Sequence, residues 1–158
     1  MLVLASCPVE VVRFTGGWLF DRVMAGWEAT VLLAHDSDAR PLRILGARTA
    51  ALAAPVRGMR PQAVVVEAEL YASDPRVRRI VKDALEDGAE VKLWGNGWPA
   101  DLDGGESVQH RLSVAARAFK AQAMAAADVP VESVPVTETF RTGEPPRVRT
   151  AADLIPVS

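Results

Sequence analysis

The sequence predicts an α/β protein of three layers, in which an open and mostly parallel sheet of about five strands carries helices on both faces. Short apolar runs of strand length recur along the chain, and segments with apolar residues at helical spacing lie between them. The links between these segments are short. Strands and helices that alternate in this way form parallel sheets through right-handed crossovers.

The N-terminal third predicts one strand, helix, strand unit. Leu2–Ser6 is a short apolar strand, and Pro8 opens a helix that extends to Gly26, since proline is tolerated at a first helical position. Gly16 and Gly17 each cost roughly 1 kcal/mol relative to alanine inside a helix, so they predict close packing against the sheet or a break. The second strand is Glu28–Ala34. The segment GWEATVLL resembles the end of a helix and the second strand of many Rossmann-like proteins, which implies a Rossmann-like topology.

Further strands and helices follow from apolar runs and capping signals. They are a strand at Gln62–Glu69, a helix from Pro75 to Asp87 with Asp74 as its N-cap, a strand at Glu90–Trp94, a helix from Ser107 to Ala127, and an edge strand at Val131–Val136.

Two regions have weaker patterns. Between residues 35 and 61, Leu42–Leu45 is expected to be a short strand and Arg48–Ala54 a helical turn. Residues 1–136 are expected to form a single α/β domain. Residues 137–158 are expected to form an extended C-terminal arm that ends in a short helix, because Thr150 to Asp153 has the pattern of a capping box.

Composition excludes several classes of protein. A net charge of −2 makes nucleic acid an unlikely partner. A single cysteine and two histidines form neither an internal disulfide nor a Cys/His zinc site, so no metal is expected and no cofactor is identified. No apolar run has the length of a membrane span, and the N-terminus lacks the features of a secretory signal, so we expect a cytoplasmic protein without a membrane partner.

Ligands of open parallel sheets bind beyond the carboxyl ends of the strands, and this rule selects the candidate site. The residues at or beyond the carboxyl ends of the predicted strands that could contact a ligand, together with Arg13 of the first helix, are Ser6, Arg13, Glu67, Glu69, Tyr71, Asn96 and Trp98. Glu67 and Glu69 are two residues apart, so they are expected on one face of their strand. Trp98 is expected to be exposed. With the C-terminal arm, it predicts a homo-oligomer or a protein partner, and a small-molecule ligand is also possible.

Cys7, His35 and Asp36 are candidates for a nucleophile, a base and an orienting acid, because they follow neighbouring strands. Cys7 and Arg13 have the spacing C-x5-R, and the placement of this motif after the first strand resembles the low-molecular-weight tyrosine phosphatases. The resemblance implies a loop that wraps a phosphate. The residues CPVEVVR depart from that loop, since they supply a proline without an N–H, three valines and the negative charge of Glu10.

The sequence favours two functions over a third, binding of nucleic acid or a phosphorylated ligand by the arginines between Arg40 and Arg60, and whether the protein is an enzyme is uncertain. The first is a non-catalytic ligand- or partner-binding domain whose site is the carboxyl edge of the sheet. The alternative is a small cysteine- or carboxylate-dependent hydrolase or transferase, phosphatase-like in the case of Cys7, at the same edge. The G-x-G-x-x-G turn of dinucleotide-binding proteins is absent.

Overall fold

The computed structural model describes residues 1–35, 37–53 and 58–144. The helices are α1 (Pro8–Met24), α2 (Arg40–Ile44), α3 (Ala68–Ser73), α4 (Pro75–Glu86) and α5 (Val114–Ala126). The strands are β1 (Leu2–Ala5), β2 (Thr30–Leu33), β3 (Arg48–Ala51), β4 (Ala63–Glu67), β5 (Glu90–Trp94), β6 (Asp103–Arg111) and β7 (Thr137–Glu144).

These strands form one sheet in the order β3-β2-β1-β4-β5-β7-β6. The first five are parallel, whereas β7 is antiparallel to both β5 and β6. The predicted three-layer α/β fold with a mostly parallel sheet is confirmed, and the two strands β6 and β7 extend it.

The core has two halves because side chains alternate between the faces of the sheet. Val3, Val31 and Val65 face the layer of α1, α2 and α5. Leu4 and Val64 face the layer of α3 and α4. Within the described part of the chain, no helix is long and apolar enough to cross a membrane.

Several element boundaries differ from the sequence-based expectations. The expected strand at 42–45 is helix α2, and the expected helical turn at 48–54 begins with strand β3, which pairs in parallel with β2. The helix expected from Ser107 is wrong over its first part, because residues 103–111 form β6. Ser113 is the true N-cap, since its Oγ accepts a hydrogen bond from the Ala116 N–H at 3.0 Å.

The C-terminal region also differs from the sequence-based expectations. The expected strand at 131–136 is wrong, and the following residues form β7 between β5 and β6. Thr137–Glu144 is therefore part of the sheet, and the boundary expected at residue 136 does not separate an arm from it. The rest of the predicted arm and its terminal helix lie outside the described residues.

Helix α1 is attached to its neighbours through a buried ion pair. The Lys120 Nζ of α5 lies 2.7 Å from the Glu138 Oε2 of β7, and their side chains are 1% and 2% exposed. Glu138 also accepts hydrogen bonds from the N–H groups of Gly17 and Trp18, at 3.0 and 2.6 Å. Lys120 donates to the carbonyl of Arg13 at 2.6 Å. The pair therefore joins α1, α5 and β7 at one point.

The sequence predicted close packing against the sheet or a break at the two glycines of α1, and the structure shows close packing against residues outside the strands. A Cβ atom on Gly17 would lie 2.1 Å from Leu112 Cδ2, and one on Gly16 would lie 3.2 Å from Leu45 Cδ1. Glycine at position 17 therefore lets Leu112 approach the helix backbone.

The buried ion pair predicts a strongly non-additive pair of substitutions. Lys120→Met leaves the Glu138 carboxylate buried without its cation, and we expect a loss of about 3–5 kcal/mol in the free energy of unfolding. The double variant Lys120→Met/Glu138→Gln should be more stable than the sum of the two single changes predicts, because no unpaired charge remains. Urea denaturation of the four proteins measures this coupling, and strictly additive losses would contradict it.

Gly17→Ala is expected to destabilise the protein although alanine favours helices. The clash with Leu112 should cost about 1–3 kcal/mol, more than the roughly 1 kcal/mol gained in helix propensity. Gly16→Ala is the matched control and should have the smaller effect, since its nearest neighbour is farther away. Thermal denaturation compares the two variants, and equal midpoints would show that the approach of Leu112 is unimportant.

Candidate active site

The order of strands places a crevice between β1 and β4. The chain moves from β1 to β2 and β3 in one direction and then returns to β4 on the other side of β1. A topological switch point of this kind opens a crevice at the carboxyl edge of the sheet. Ser6 and Cys7 follow β1, Glu67 is the last residue of β4, and Glu10 lies in the first turn of α1.

Ser6 and Glu67 are joined by two hydrogen bonds across this crevice. The Ser6 N–H and the Ser6 hydroxyl both donate to Glu67 Oε2, each at 2.8 Å. Glu67 is 6% exposed, whereas Ser6 is half-buried. The carboxylate of Glu67 is therefore held in a fixed position against the hydroxyl of Ser6.

Glu10 is a second carboxylate at the same edge. The indole Nε1–H of buried Trp94, at the end of β5, points to Glu10 Oε2 at 3.5 Å. Burial raises the pKa of Glu10, and the negative charges of Glu67 and Glu69 raise it further. The Trp94 hydrogen bond and the Arg13 charge act in the opposite direction. Glu10 therefore retains its proton to higher pH than an ordinary glutamate.

Cys7 is the N-cap of α1, and its side chain makes no capping hydrogen bond. The thiol is half-buried, and its Sγ lies 3.9 Å from Ser6 Oγ. Cys7 also lines a cleft of about 190 Å³ with Ser37, Asp38 and Arg40.

The phosphate loop implied by the C-x5-R spacing does not form. Residues 8–13 are helical, so their N–H groups do not surround an anion. Arg13 is an exposed residue of α1, and its carbonyl accepts from Lys120.

His35, the predicted base, is not placed beside Cys7 by any observed contact. His35 is exposed, and its backbone N–H donates to the Ser6 carbonyl at 3.0 Å. Among the described residues, no hydrogen bond joins the His35 imidazole to the thiol. Asp36 lies outside the described residues.

Glu69 does not lie where the sequence predicted, and Tyr71 lies in α3, after the end of β4. The expectation that Glu67 and Glu69 share one face of a strand is wrong, because β4 ends at Glu67 and Glu69 is an exposed residue of α3. Tyr71 is buried, and its hydroxyl donates to Asp101 Oδ2 at 3.1 Å. Burial and Asp101 together raise the pKa of Tyr71. The Tyr71 hydroxyl is therefore bonded to the loop that follows β5.

That loop contains Asn96 and Trp98. Asn96 is exposed. The expectation that Trp98 is exposed is wrong: it is half-buried, its Nε1–H donates to the Leu102 carbonyl at 3.0 Å, and its ring lies against Gly105. The predicted association through Trp98 and the C-terminal residues stays a prediction.

Sequence reasoning found Ser6 and Glu67 through the rule for carboxyl edges, but it missed Glu10 as a site residue. Glu10 was interpreted only as a charge that would repel phosphate. The available signal was its position in the first turn of the helix that follows β1, which places it at the same edge as Ser6.

The described residues contain no group of three or more His, Cys, Asp or Glu side chains arranged to hold a metal ion. Among residues 1–35, 37–53 and 58–144, no third side chain of these types completes a metal site with Glu10 and Glu67.

No family model matches the chain, and no curated protein matches it by sequence. Solved structures do resemble it. A triple mutant of a deacetylase of the teicoplanin biosynthetic pathway has a TM-score of 0.63 and 15% identity, over 95% of this chain and 98% of the other. The A40926 pseudoaglycone deacetylase Dbv21 has a TM-score of 0.63 and 15% identity, over 94% and 98% of the two chains.

Two further neighbours add to this comparison. The zinc-inhibited form of teicoplanin deacetylase Orf2 has a TM-score of 0.58 and 15% identity, over 96% of this chain and 99% of the other. The 4-carboxy-2-hydroxymuconate hydratase GalB of Pseudomonas putida has a TM-score of 0.52 and 13% identity, over 94% and 97%. At these identities the likeness concerns the fold.

These neighbours contradict the first function predicted from the sequence. They are deacetylases and a hydratase, and each covers nearly the whole chain. The interpretation as a non-catalytic ligand- or partner-binding domain is therefore wrong. These neighbours do not contradict the alternative, a small cysteine- or carboxylate-dependent hydrolase or transferase, which stays a prediction.

The environment of Glu10 predicts how its pKa responds to neighbouring charges. Glu67→Gln removes a negative charge that raises the pKa of Glu10, so this pKa should fall. Glu69→Gln should lower it less, because Glu69 contributes less to the shift. Titration of the Glu10 side-chain carboxyl carbon by NMR measures both changes. An unchanged pKa in the Glu67 variant would show that the two carboxylates do not interact.

Proposed function

We propose that the protein is a carboxylate-dependent hydrolase that removes an acyl group, with its active site at the carboxyl edge between β1 and β4. The observation that carries this proposal is the pair of carboxylates with unlike surroundings. Glu67 accepts two hydrogen bonds from Ser6, whereas burial raises the pKa of Glu10. Pairs of titratable groups in contrasting environments are typical of an acid and a base.

The surroundings assign a role to each carboxylate. Glu10 is the general acid, since its raised pKa keeps a proton available for a leaving group. Glu67 is the general base, because its Oε2 accepts the hydrogen bond of a hydroxyl at 2.8 Å. Ser6, which contacts Glu67, lies in the two-residue turn between β1 and α1, and Glu10 lies in the first turn of α1, so both carboxylates are at the same edge of the sheet.

An acyl substrate is favoured over a phosphate ester. The neighbouring structures that share this fold over more than nine-tenths of the chain include several deacetylases, which supports hydrolysis of an acetyl amide or ester here. Residues 8–13 are helical, so the phosphate loop of the phosphatase-like alternative has no counterpart. The single cysteine has no neighbouring base among the described contacts, which favours the carboxylates over the thiol.

The proposal predicts release of acetate from small N-acetyl and O-acetyl compounds, measured by proton NMR. Glu10→Gln should lower the rate with an N-acetyl substrate by about 10²–10⁴-fold, because the leaving nitrogen requires a proton. Glu106→Gln is the matched control, since Glu106 is an exposed residue of β6. Absence of acetate release across the set of compounds, or an unchanged rate in the Glu10 variant, would contradict the proposal.

The pH dependence gives a further prediction. Amide hydrolysis should decline as pH rises through the pKa of Glu10, because only the protonated acid donates to the leaving group. Glu69→Gln lowers that pKa and should therefore move this alkaline limb to lower pH. The pH profile of kcat in both proteins tests it. A shift toward higher pH would show that Glu10 is not the acid.

A further inference from the structure

We propose that Ser6 is the nucleophile, so that hydrolysis proceeds through an acyl ester on Ser6 Oγ. This inference rests on the proposed acyl hydrolase and specifies its mechanism, because the two carboxylates alone would serve equally for direct attack by water.

The contact between Ser6 and Glu67 has the geometry of a nucleophile and its base. Ser6 Oγ lies 2.8 Å from Glu67 Oε2, within the 2.6–3.2 Å typical of such pairs. The same oxygen accepts the Ser6 backbone N–H at 2.8 Å, so the carboxylate is anchored to the residue that it would activate. Glu67 is 6% exposed, which keeps bulk water from competing for this oxygen.

The neighbouring thiol lacks a comparable contact. Ser6 Oγ lies 3.9 Å from the Cys7 Sγ, well beyond its distance to Glu67, so the hydroxyl proton is directed to the carboxylate. Within the described part of the chain, no carboxylate or imidazole hydrogen-bonds the Cys7 Sγ. Of two adjacent nucleophilic side chains, Ser6 is thus the one that has a base.

The position of Ser6 in the chain favours this role. It lies in the two-residue turn between the end of β1 and the first residue of α1. Ser6 is half-buried, so the residue is partly open to solvent. The first turn of α1 follows directly, and the Cys7 side chain does not cap it. The positive end of the helix dipole is therefore available to an oxyanion formed at Ser6.

The reaction balances without any further reagent. Ser6 Oγ attacks the acyl carbon while its proton passes to Glu67. The bond from carbon to nitrogen then breaks, and Glu10 gives its proton to the leaving amine. In the second half, water attacks the ester and gives one proton to Glu10. Ser6 Oγ leaves and recovers its proton from Glu67, which releases the carboxylic acid.

The test uses p-nitrophenyl acetate, whose leaving group departs without a proton. In Glu10→Gln, acylation should therefore continue while deacylation slows, because water loses its base. We expect about one equivalent of p-nitrophenolate to be released rapidly. Tandem mass spectrometry of the intact and digested protein should locate an acetyl group on Ser6. Ser6→Ala should release no burst, whereas Ser107→Ala, an exposed serine of β6, should behave as the parent does.

The outcomes separate this inference from the function on which it rests. An acetyl group on Cys7, or hydrolysis that persists in Ser6→Ala, would overturn the nucleophile but leave the hydrolase standing. Failure of the wild-type protein to hydrolyse any acyl compound would overturn both. The location of the acetyl group is determined in Glu10→Gln, so this result does not depend on whether Ser6→Ala folds. Circular dichroism checks the folding of Ser6→Ala separately.

Discussion

The buried ion pair between Lys120 and Glu138 determines how the helical layer sits on the sheet. Interior N–H groups of a helix ordinarily bond to the carbonyl four residues earlier. Here the N–H groups of Gly17 and Trp18 donate to the Glu138 carboxylate, and the Lys120 ammonium donates to the Arg13 carbonyl. Two desolvated charges are costly unless all of their hydrogen bonds are satisfied. The middle of α1 satisfies them, so its position and that of β7 depend on each other.

The active-site proposal depends on this attachment. Once the middle of α1 is fixed against β7 and α5, its first turn is fixed over the carboxyl ends of β4 and β5. Glu10 then lies beside the indole of Trp94 and near the carboxylate of Glu67. Asp21, farther along α1, accepts the Ser113 hydroxyl at 2.6 Å and contacts His110 Nε2 at 2.8 Å. Asp21 thus gives α1 a second point of attachment, to β6 and to the N-cap of α5.

The parts of this fold that could be predicted from the sequence are those with local signals. Pro8 marked the start of α1, Asp74 and Pro75 marked α4, and valine runs marked the buried parallel strands. The strands β6 and β7 could not be predicted in this way, because they are polar and owe their conformation to pairing with each other and with β5. The burial of Lys120 could not be predicted from the sequence either, because it depends on the contact of Lys120 with Glu138 of β7.

The two carboxylates of the candidate site also differ in this respect: the position of one follows from a local signal in the sequence, and that of the other follows from tertiary packing. Glu67 ends a parallel strand, so topology alone places it at the edge where ligands bind. Glu10 reaches that edge only because α1 packs as it does, and its raised pKa follows from burial before any neighbouring charge. A glutamate in the first turn of a free helix would instead be stabilised in its ionised form by the helix dipole. Tertiary packing thus converts a residue that would otherwise stabilise the helix end into one suited to donate a proton.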